Sequence, residues 1–279
     1  MAGTAPAAID AVPDGGAGGK MGAVLNTVAQ LSLAALLVSI ALGLIAGLGT
    51  RFGLWNYDLG LFTIFPWSLY AGLAAFVLGL FWMATAVFAG VGGGALYAVT
   101  GFVGAIAVLW VPLDDLYLAR IAHALPPIHD ISTDTEHAPE FIAAPGQGAA
   151  QPPAYNGLQR LRFDGRMYTA ETLQKLSYGE VKPKQQLGTT PAKLFKRALA
   201  AARSMGWMIV AIRPARDGGY IQATDTTLLF GLTDDIIIRV KPAGPGACLD
   251  IRSRSRVGDT DFGRNAARIG AYFKKLAAT

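Results

Sequence analysis

Between Met21 and Thr50 the chain carries no charged residue, and between Leu59 and Leu113 it carries none again. Such runs constrain the fold more than any other feature. A helix in water needs a polar face, whereas about 20 consecutive apolar residues suffice to cross a bilayer. The first run is long enough for one membrane-spanning helix. The second, about 55 positions, is long enough for two spans of roughly 20 residues each. The cluster Gly90, Gly92, Gly93 and Gly94 divides it, because glycine permits a tight turn. The sequence therefore predicts transmembrane helices near 23–48, 67–89 and 95–112. Trp55, Tyr57, Trp67, Tyr70 and Trp110 fall near their ends, as aromatic belts do. Residues 1–20 offer almost nothing to bury and are expected to form a disordered tail.

Charge divides the chain at the same place. Residues 1–112 hold Lys20 and Arg51 against Asp10, Asp14 and Asp58, one net negative charge. The whole chain carries +5, so residues 113–279 hold a basic surplus of six. Charged residues are 15% of the chain and hydrophobic ones 52%, against about 25% charged in an average soluble protein. That excludes a freely soluble enzyme and a disordered chain. The single cysteine, Cys248, excludes an internal disulfide, and its position excludes N-terminal lipid attachment. One lysine before a run too long for a signal peptide, followed by two further spans, predicts a retained anchor. Orientation is undecided by charge, since Lys20 and Arg51 vote against each other. No ionisable group lies within the predicted spans, which argues against transport through them. The Gly43/Gly47 pair is expected to serve packing within the chain rather than dimerisation.

Residues 113–157 read as a joint and linker, with Pro126-Pro127 followed by IHDISTDTEHAPEF (128–141) and AAPGQGAAQPPAYNG (143–157). A soluble domain is expected over 158–279. Thr190-Pro191 opens a helix that runs to Gly206. Four strands follow at Trp207–Arg213, Tyr220–Thr226, Asp235–Lys241 and Leu249–Arg256, separated by turn residues. Asp261 is the expected N-cap of a last helix through Leu276. The fold class is α+β: three transmembrane helices, then a two-layer sandwich of about four antiparallel strands with helices on one face. Alternation places Ile236, Ile238, Val240, Leu249 and Ile251 toward the helices. The opposite surface then gathers Arg239, Lys241, Arg252, Arg254 and Arg256, with Asp235 and Asp250 nearby. Successive arginines in a strand lie about 7 Å apart.

Three blocks, DISTD (130–134), ATDTTLLFGLTDDIIIRV (223–240) and IRSRSRVGDTDFGRNAARI (251–269), resemble the domain-of-unknown-function 1499 family. The matching positions include Asp130, Ser132, Asp134, Phe230, Asp234, Asp235, Arg239, Arg252, Ser253, Ser255, Arg256, Gly258, Asp261, Gly263, Asn265 and Arg268. The three apolar runs, with RFGL after the first, resemble membrane-anchored proteobacterial members. The resemblance implies a bacterial inner-membrane protein with a periplasmic C-terminal domain, and it implies no activity.

The candidate ligand site comprises Arg239, Arg252, Ser253, Arg254, Ser255, Arg256, Asp261, Asn265 and Arg268. Guanidinium forks suit oxyanions, serine hydroxyls add donors, and Gly258 gives backbone access. The competing reading pairs these cations with Asp235 and Asp250 across the strands. Asp259 and Asp261, near Ser255 and Arg256, could act as a hydrolase or transferase carboxylate pair, but capping a helix accounts for them more simply. His123, His129 and His137 lie beside Asp130, Asp134 and Glu136 without an i, i+4 pair, so no metal is expected. DGGAGGK (14–20) lacks the spacing and hydroxyl of a phosphate loop, and no CxxC, HExxH or GxSxG occurs. No cofactor and no catalytic residue are assigned. The expected partners are the lipid bilayer and an anionic envelope ligand or another membrane protein; nucleic acid is not among them, for want of interleaved aromatics. A purely structural subunit of a membrane complex is the third reading.

Overall fold

The computed structural model describes residues 17–89, 93–122, 125–144 and 150–279. The chain divides into two compact units, Met1–Asp114 and Asp115–Thr279. Most of the expected N-terminal tail lies outside the described residues, but its last four positions, 17–20, are already helical.

In the first unit α1 spans Ala17–Arg51. A wide π-helical turn, Leu59–Ile64, leads directly into α2, Phe65–Ala89. The third helix, α3, spans Ala95–Ala122. Two segments, Gly19–Arg51 and Leu59–Phe88, are long and apolar enough to cross a membrane, not the three expected. A shorter apolar stretch, Ala95–Trp110, lies in α3 among the described residues.

Small residues set the packing within this unit. Ser32 Oγ donates to the Ala75 carbonyl at 2.8 Å, and Ser39 Oγ to the Ser68 carbonyl at 2.7 Å, both between α1 and α2. A Cβ on Gly43 would stand 3.2 Å from Ser68 Oγ, so Gly43 serves contact between helices of one chain. Ser32, Ser39 and Ser68 are buried, while Leu31, Leu37, Val38, Leu44, Leu73, Val77 and Phe81 are exposed. The helices bury these serines beside small and a few large apolar residues, Leu25, Leu36 and Trp82, and leave many large apolar side chains outward, where a helix bundle in water would be polar.

The second unit is built on a six-stranded sheet rather than four strands. The four expected strands are present as a meander: β5 (Met208–Ala215), β6 (Gly218–Thr226), β7 (Thr233–Ala243) and β8 (Gly246–Ser255). Two short strands complete it, β1 (Asp130–Ser132) and β4 (Lys184–Leu187), and both pair antiparallel with β8. β4 takes the first half of β8, pairing Lys184 with Leu249 and Leu187 with Gly246; β1 takes the second, pairing Ser132 with Arg252 and Asp130 with Arg254. β8 is thus flanked on both sides, which is why a run as polar as Asp250 to Ser255 is almost wholly buried. The short, polar strands β1 and β4 carry no period-two signal of their own, so the sequence shows neither as a strand.

Helices α5 (Pro191–Ser204) and α6 (Arg264–Ala278) cover one face. Their Leu194, Ala198, Ala202, Ile269 and Tyr272 join Ile221, Ile236, Ile238, Leu249 and Ile251 in one core. Thr190 caps α5 by accepting from the Lys193 N–H, with Pro191 at the first turn. A separate hairpin, β2 (Arg160–Phe163) with β3 (Arg166–Thr169), leads into α4 (Ala170–Ser177). The expected linker is not structureless where it is described. Ile128, Ile131 and Phe141 are buried, and the described segments 133–144 and 150–155 together form a strap that makes hydrogen bonds to the sheet face opposite the helices.

Candidate functional site

The strand alternation places the candidate residues on two faces, not one. Arg239, Lys241, Asp250, Arg252, Arg254 and Arg256 share the face under the strap. On β8 the pleat turns Ser253 and Ser255 the other way, toward α6.

On the strap face every arginine but one is hydrogen-bonded to an aspartate. Arg252 makes two parallel hydrogen bonds to Asp130, Nε to Oδ1 at 2.8 Å and an Nη to Oδ2 at 2.7 Å. Its side chain is 0% exposed. Further donors reach the carbonyls of Pro153 and Pro139, and the guanidinium lies over the rings of Phe141 and Tyr155 at 4.7 and 5.6 Å. Arg239 forms a fork onto Asp250 Oδ2 at 2.9 and 2.7 Å and also reaches Asp134. Lys241 bridges the same two acids. Arg256 holds Asp235 through bonds of 3.0 and 2.8 Å. Pairing by aspartate therefore accounts for most of the stripe, and Asp130 and Asp134, from the expected joint, supply charges that the strand pattern did not contain.

Arg254 is the exception. Its Nε stands 3.8 Å from Asp130 Oδ2, beyond hydrogen-bond distance, and among the described residues its guanidinium donates no hydrogen bond. It is 18% exposed, and Arg256, about two strand positions or 7 Å further along, is 34% exposed.

Ionisation follows these contacts. Burial pulls the Asp134 carboxyl upward, but the His137 N–H, Lys241 and Arg239 outweigh it and hold the group below its ordinary value. Burial pulls Lys241 downward, and Asp250 and Asp134 more than reverse that. Burial, with the nearby Asp130 and Glu171, raises the Tyr155 phenol. Burial also raises the Cys248 thiol, which makes it a poor nucleophile.

The helix-side residues form a structural network. Ser253 Oγ and Asn265 Oδ1 are 2.7 Å apart, and Asn265 Nδ2 donates to Ser255 Oγ and to the His129 carbonyl. Arg268 donates to Ser253, Asn265, Asp225 and Asp234. These bonds fasten α6 to β8 and to the paired ends of β6 and β7. Asp261 accepts from the N–H groups of Gly263 and Asn265, both at 2.8 Å. The N-cap of α6 is Gly263, with φ +80° and no side-chain cap, not the expected Asp261, which lies two positions earlier and holds the turn into the helix. Burial raises the Asp261 carboxyl, against the pull of those two N–H groups. Asp259 is exposed. Ser255 and Asp261 thus serve the helix anchorage while Arg256 lies on the other face, so the four residues of the hydrolytic reading do not share a cleft.

A cleft of about 1160 Å³ lies between the strap and the sheet, lined by residues including His137, Phe141, Tyr155, Glu171, Tyr220 and Arg239. Of the candidate residues only Arg239 reaches it. No group of three or more metal-ligating side chains occurs among the described residues, and His123 lies outside them.

Two glutamines escaped the sequence reading. The Gln174 amide on α4 accepts from the Ser132 N–H at 3.0 Å and donates to the Ser132 carbonyl at 2.6 Å. It completes the outer edge of β1 as a strand would. Gln222 on β6 does the same for the strap, accepting from Ile142 and Ala143 and donating to the Ala143 carbonyl. A lone glutamine carries no positional signal in a sequence.

The model of a family described as "Protein of unknown function (DUF1499)" matches residues 130–276, more than half of the chain. The match begins at the aspartate that holds Arg252 and ends in α6. No curated protein and no solved structure matches the chain.

Proposed function

The chain belongs to the DUF1499 family, and from that premise we propose that it is a membrane-anchored envelope protein whose C-terminal domain binds an anionic ligand or partner at Arg254 and Arg256. The observation that carries the reading is the state of Arg254. It is positioned by Asp130 and by the strands on either side, yet among the described residues its hydrogen-bonding donors are uncommitted. A fixed guanidinium with free donors is preorganised for a phosphate or carboxylate. Arg256 adds a second, more exposed cation on the same face.

The anchor is the inner membrane, with the C-terminal domain on the periplasmic side. Support for an anchor comes from the many large apolar side chains on the outer face of the first unit, with serines buried between its helices, and from its two long apolar helices.

Two measurements test the proposal. Full-length protein in detergent is titrated calorimetrically with inorganic phosphate and with glycerol phosphate. Binding is expected for the parent and for Arg160→Gln, and is lost in Arg254→Gln with an unchanged far-ultraviolet dichroism spectrum. Binding that survives Arg254→Gln overturns the site. Protease added outside spheroplasts is expected to digest the C-terminal domain; protection there overturns its periplasmic placement.

A further inference from the structure

Most of the stripe on the sheet is neutralised, so the domain's surplus of positive charge must lie elsewhere, and the helix layer holds much of it. α5 contains Lys193, Lys196, Arg197 and Arg203, α6 contains Arg264, Arg268, Lys274 and Lys275, and neither helix contains an Asp or Glu. Two of these cations turn inward: Arg197 donates to Gln186 and the Leu276 carbonyl, and Arg268 to Asp225 and Asp234. The other six are exposed, and among the described residues none of them forms an ion pair. The 3.6-residue period decides this. With Leu194, Phe195, Ala198, Ala201, Ile269, Tyr272 and Leu276 against the core, these six cations fall on the opposite side of each helix, facing water. The helices lie side by side on the sheet, joined by the Tyr272 hydroxyl to the Ala198 carbonyl at 3.1 Å and by Arg197 to Leu276. The result is one carboxylate-free helix layer whose outer face is cationic, opposite the strap.

We propose that this face docks on an anionic lipid bilayer. The charges are spread over two neighbouring helices rather than gathered in a pocket, which suits a surface better than a small molecule. Their sign matches anionic headgroups. The same chain carries two helices long and apolar enough to cross a membrane, so a bilayer is the surface to which the domain is tethered. The inference rests on the anchor reading and is independent of the Arg254 site. A lysine or arginine close to an anionic bilayer changes partitioning by about fivefold, and salt screens the effect over about 10 Å at 0.1 M.

The test uses the full chain in nanodiscs of phosphatidylcholine alone, or with one quarter phosphatidylglycerol. An amine-reactive label is read by peptide mass spectrometry. Lys193, Lys196, Lys274 and Lys275 are expected to label about fivefold more slowly in the anionic discs, with full recovery in high salt. Lys175 and Lys241, elsewhere on the domain, label equally in both. Arg203→Gln with Arg264→Gln weakens the protection, whereas Arg254→Gln leaves it unchanged. Equal labelling of the four lysines in both discs overturns the proposal, as does protection that high salt does not relieve or that extends equally to Lys175 and Lys241. A chain that fails to enter either disc removes the anchor reading and this inference together, without bearing on phosphate binding at Arg254.

Discussion

Arg252 and Asp130, 122 positions apart, form a two-bond ion pair in which the arginine is completely buried. The pair joins the strand that carries the arginine stripe to the first residue of the family match. It also explains why β1 belongs to the domain although it lies in the expected joint. A buried guanidinium loses its hydration and must recover it from partners, and Asp130, Pro139, Pro153, Phe141 and Tyr155 all come from outside the four-strand meander.

Breaking the pair on one side is expected to be costly. Asp130→Asn leaves Arg252 charged and buried, and should destabilise the domain by about 3–5 kcal/mol. Adding Arg252→Met should recover part of the loss, because the desolvated charge is gone. A double-mutant cycle by urea unfolding in detergent measures the coupling; strictly additive losses would contradict it.

The edge of β1 depends on one amide. Gln174→Ala removes both bonds to Ser132 and leaves buried backbone groups unpaired, with an expected loss of roughly 2 kcal/mol. Backbone amide exchange at Ser132 should accelerate, while amides in the β5–β6 pair, across the sheet, should hardly change.

Tyr178 is expected to behave in the opposite sense. Among the described residues its buried hydroxyl has no hydrogen-bond partner, and burial, with Asp261 and Glu180 nearby, pushes its phenol up to about 12. Tyr178→Phe removes an unsatisfied polar atom and keeps the ring, so the domain should be unchanged or up to about 1 kcal/mol more stable. A lower thermal midpoint would show that the hydroxyl has a partner in solution.

Acid should act on two aspartates with opposite signs. The folded state holds Asp134 below its ordinary value. Its contribution is present above the ordinary carboxylate range and disappears as pH falls through the depressed value, so Asp134→Asn should flatten the acid limb of the stability curve. Asp261 is raised by burial, so its contribution is full at low pH and declines as pH rises through the raised value. The cost of Asp261→Asn should therefore shrink between acidic and neutral pH. Thermal midpoints across that range measure both effects.

Much of the architecture is local and was legible. The four meander strands show as alternation, α5 and α6 as capped amphipathic runs, and the apolar helices as uncharged stretches, because each signal repeats within a dozen residues. The third apolar stretch is present in α3, while two helices are long and apolar enough to cross a membrane among the described residues. The site was less legible. Alternation placed Arg239, Arg252, Arg254 and Arg256 on one face and separated them from Ser253 and Ser255, but it contained no information on which arginines were engaged.

By itself, then, the sequence determined where the chain is apolar, which strand residues share a face and which family it resembles, since composition and period are properties of neighbours along the chain. Tertiary structure alone decided that Asp130 pairs with Arg252, that Gln174 and Gln222 stand in for missing strands, and that the strap covers the stripe. Those partners lie 42 to 122 positions apart. Each is a single polar residue without a repeating signal, chosen because a buried donor or acceptor requires a partner wherever the fold brings one near. Arg254, only partly buried, escapes that requirement, and among the described residues its donors stay uncommitted beside neutralised neighbours.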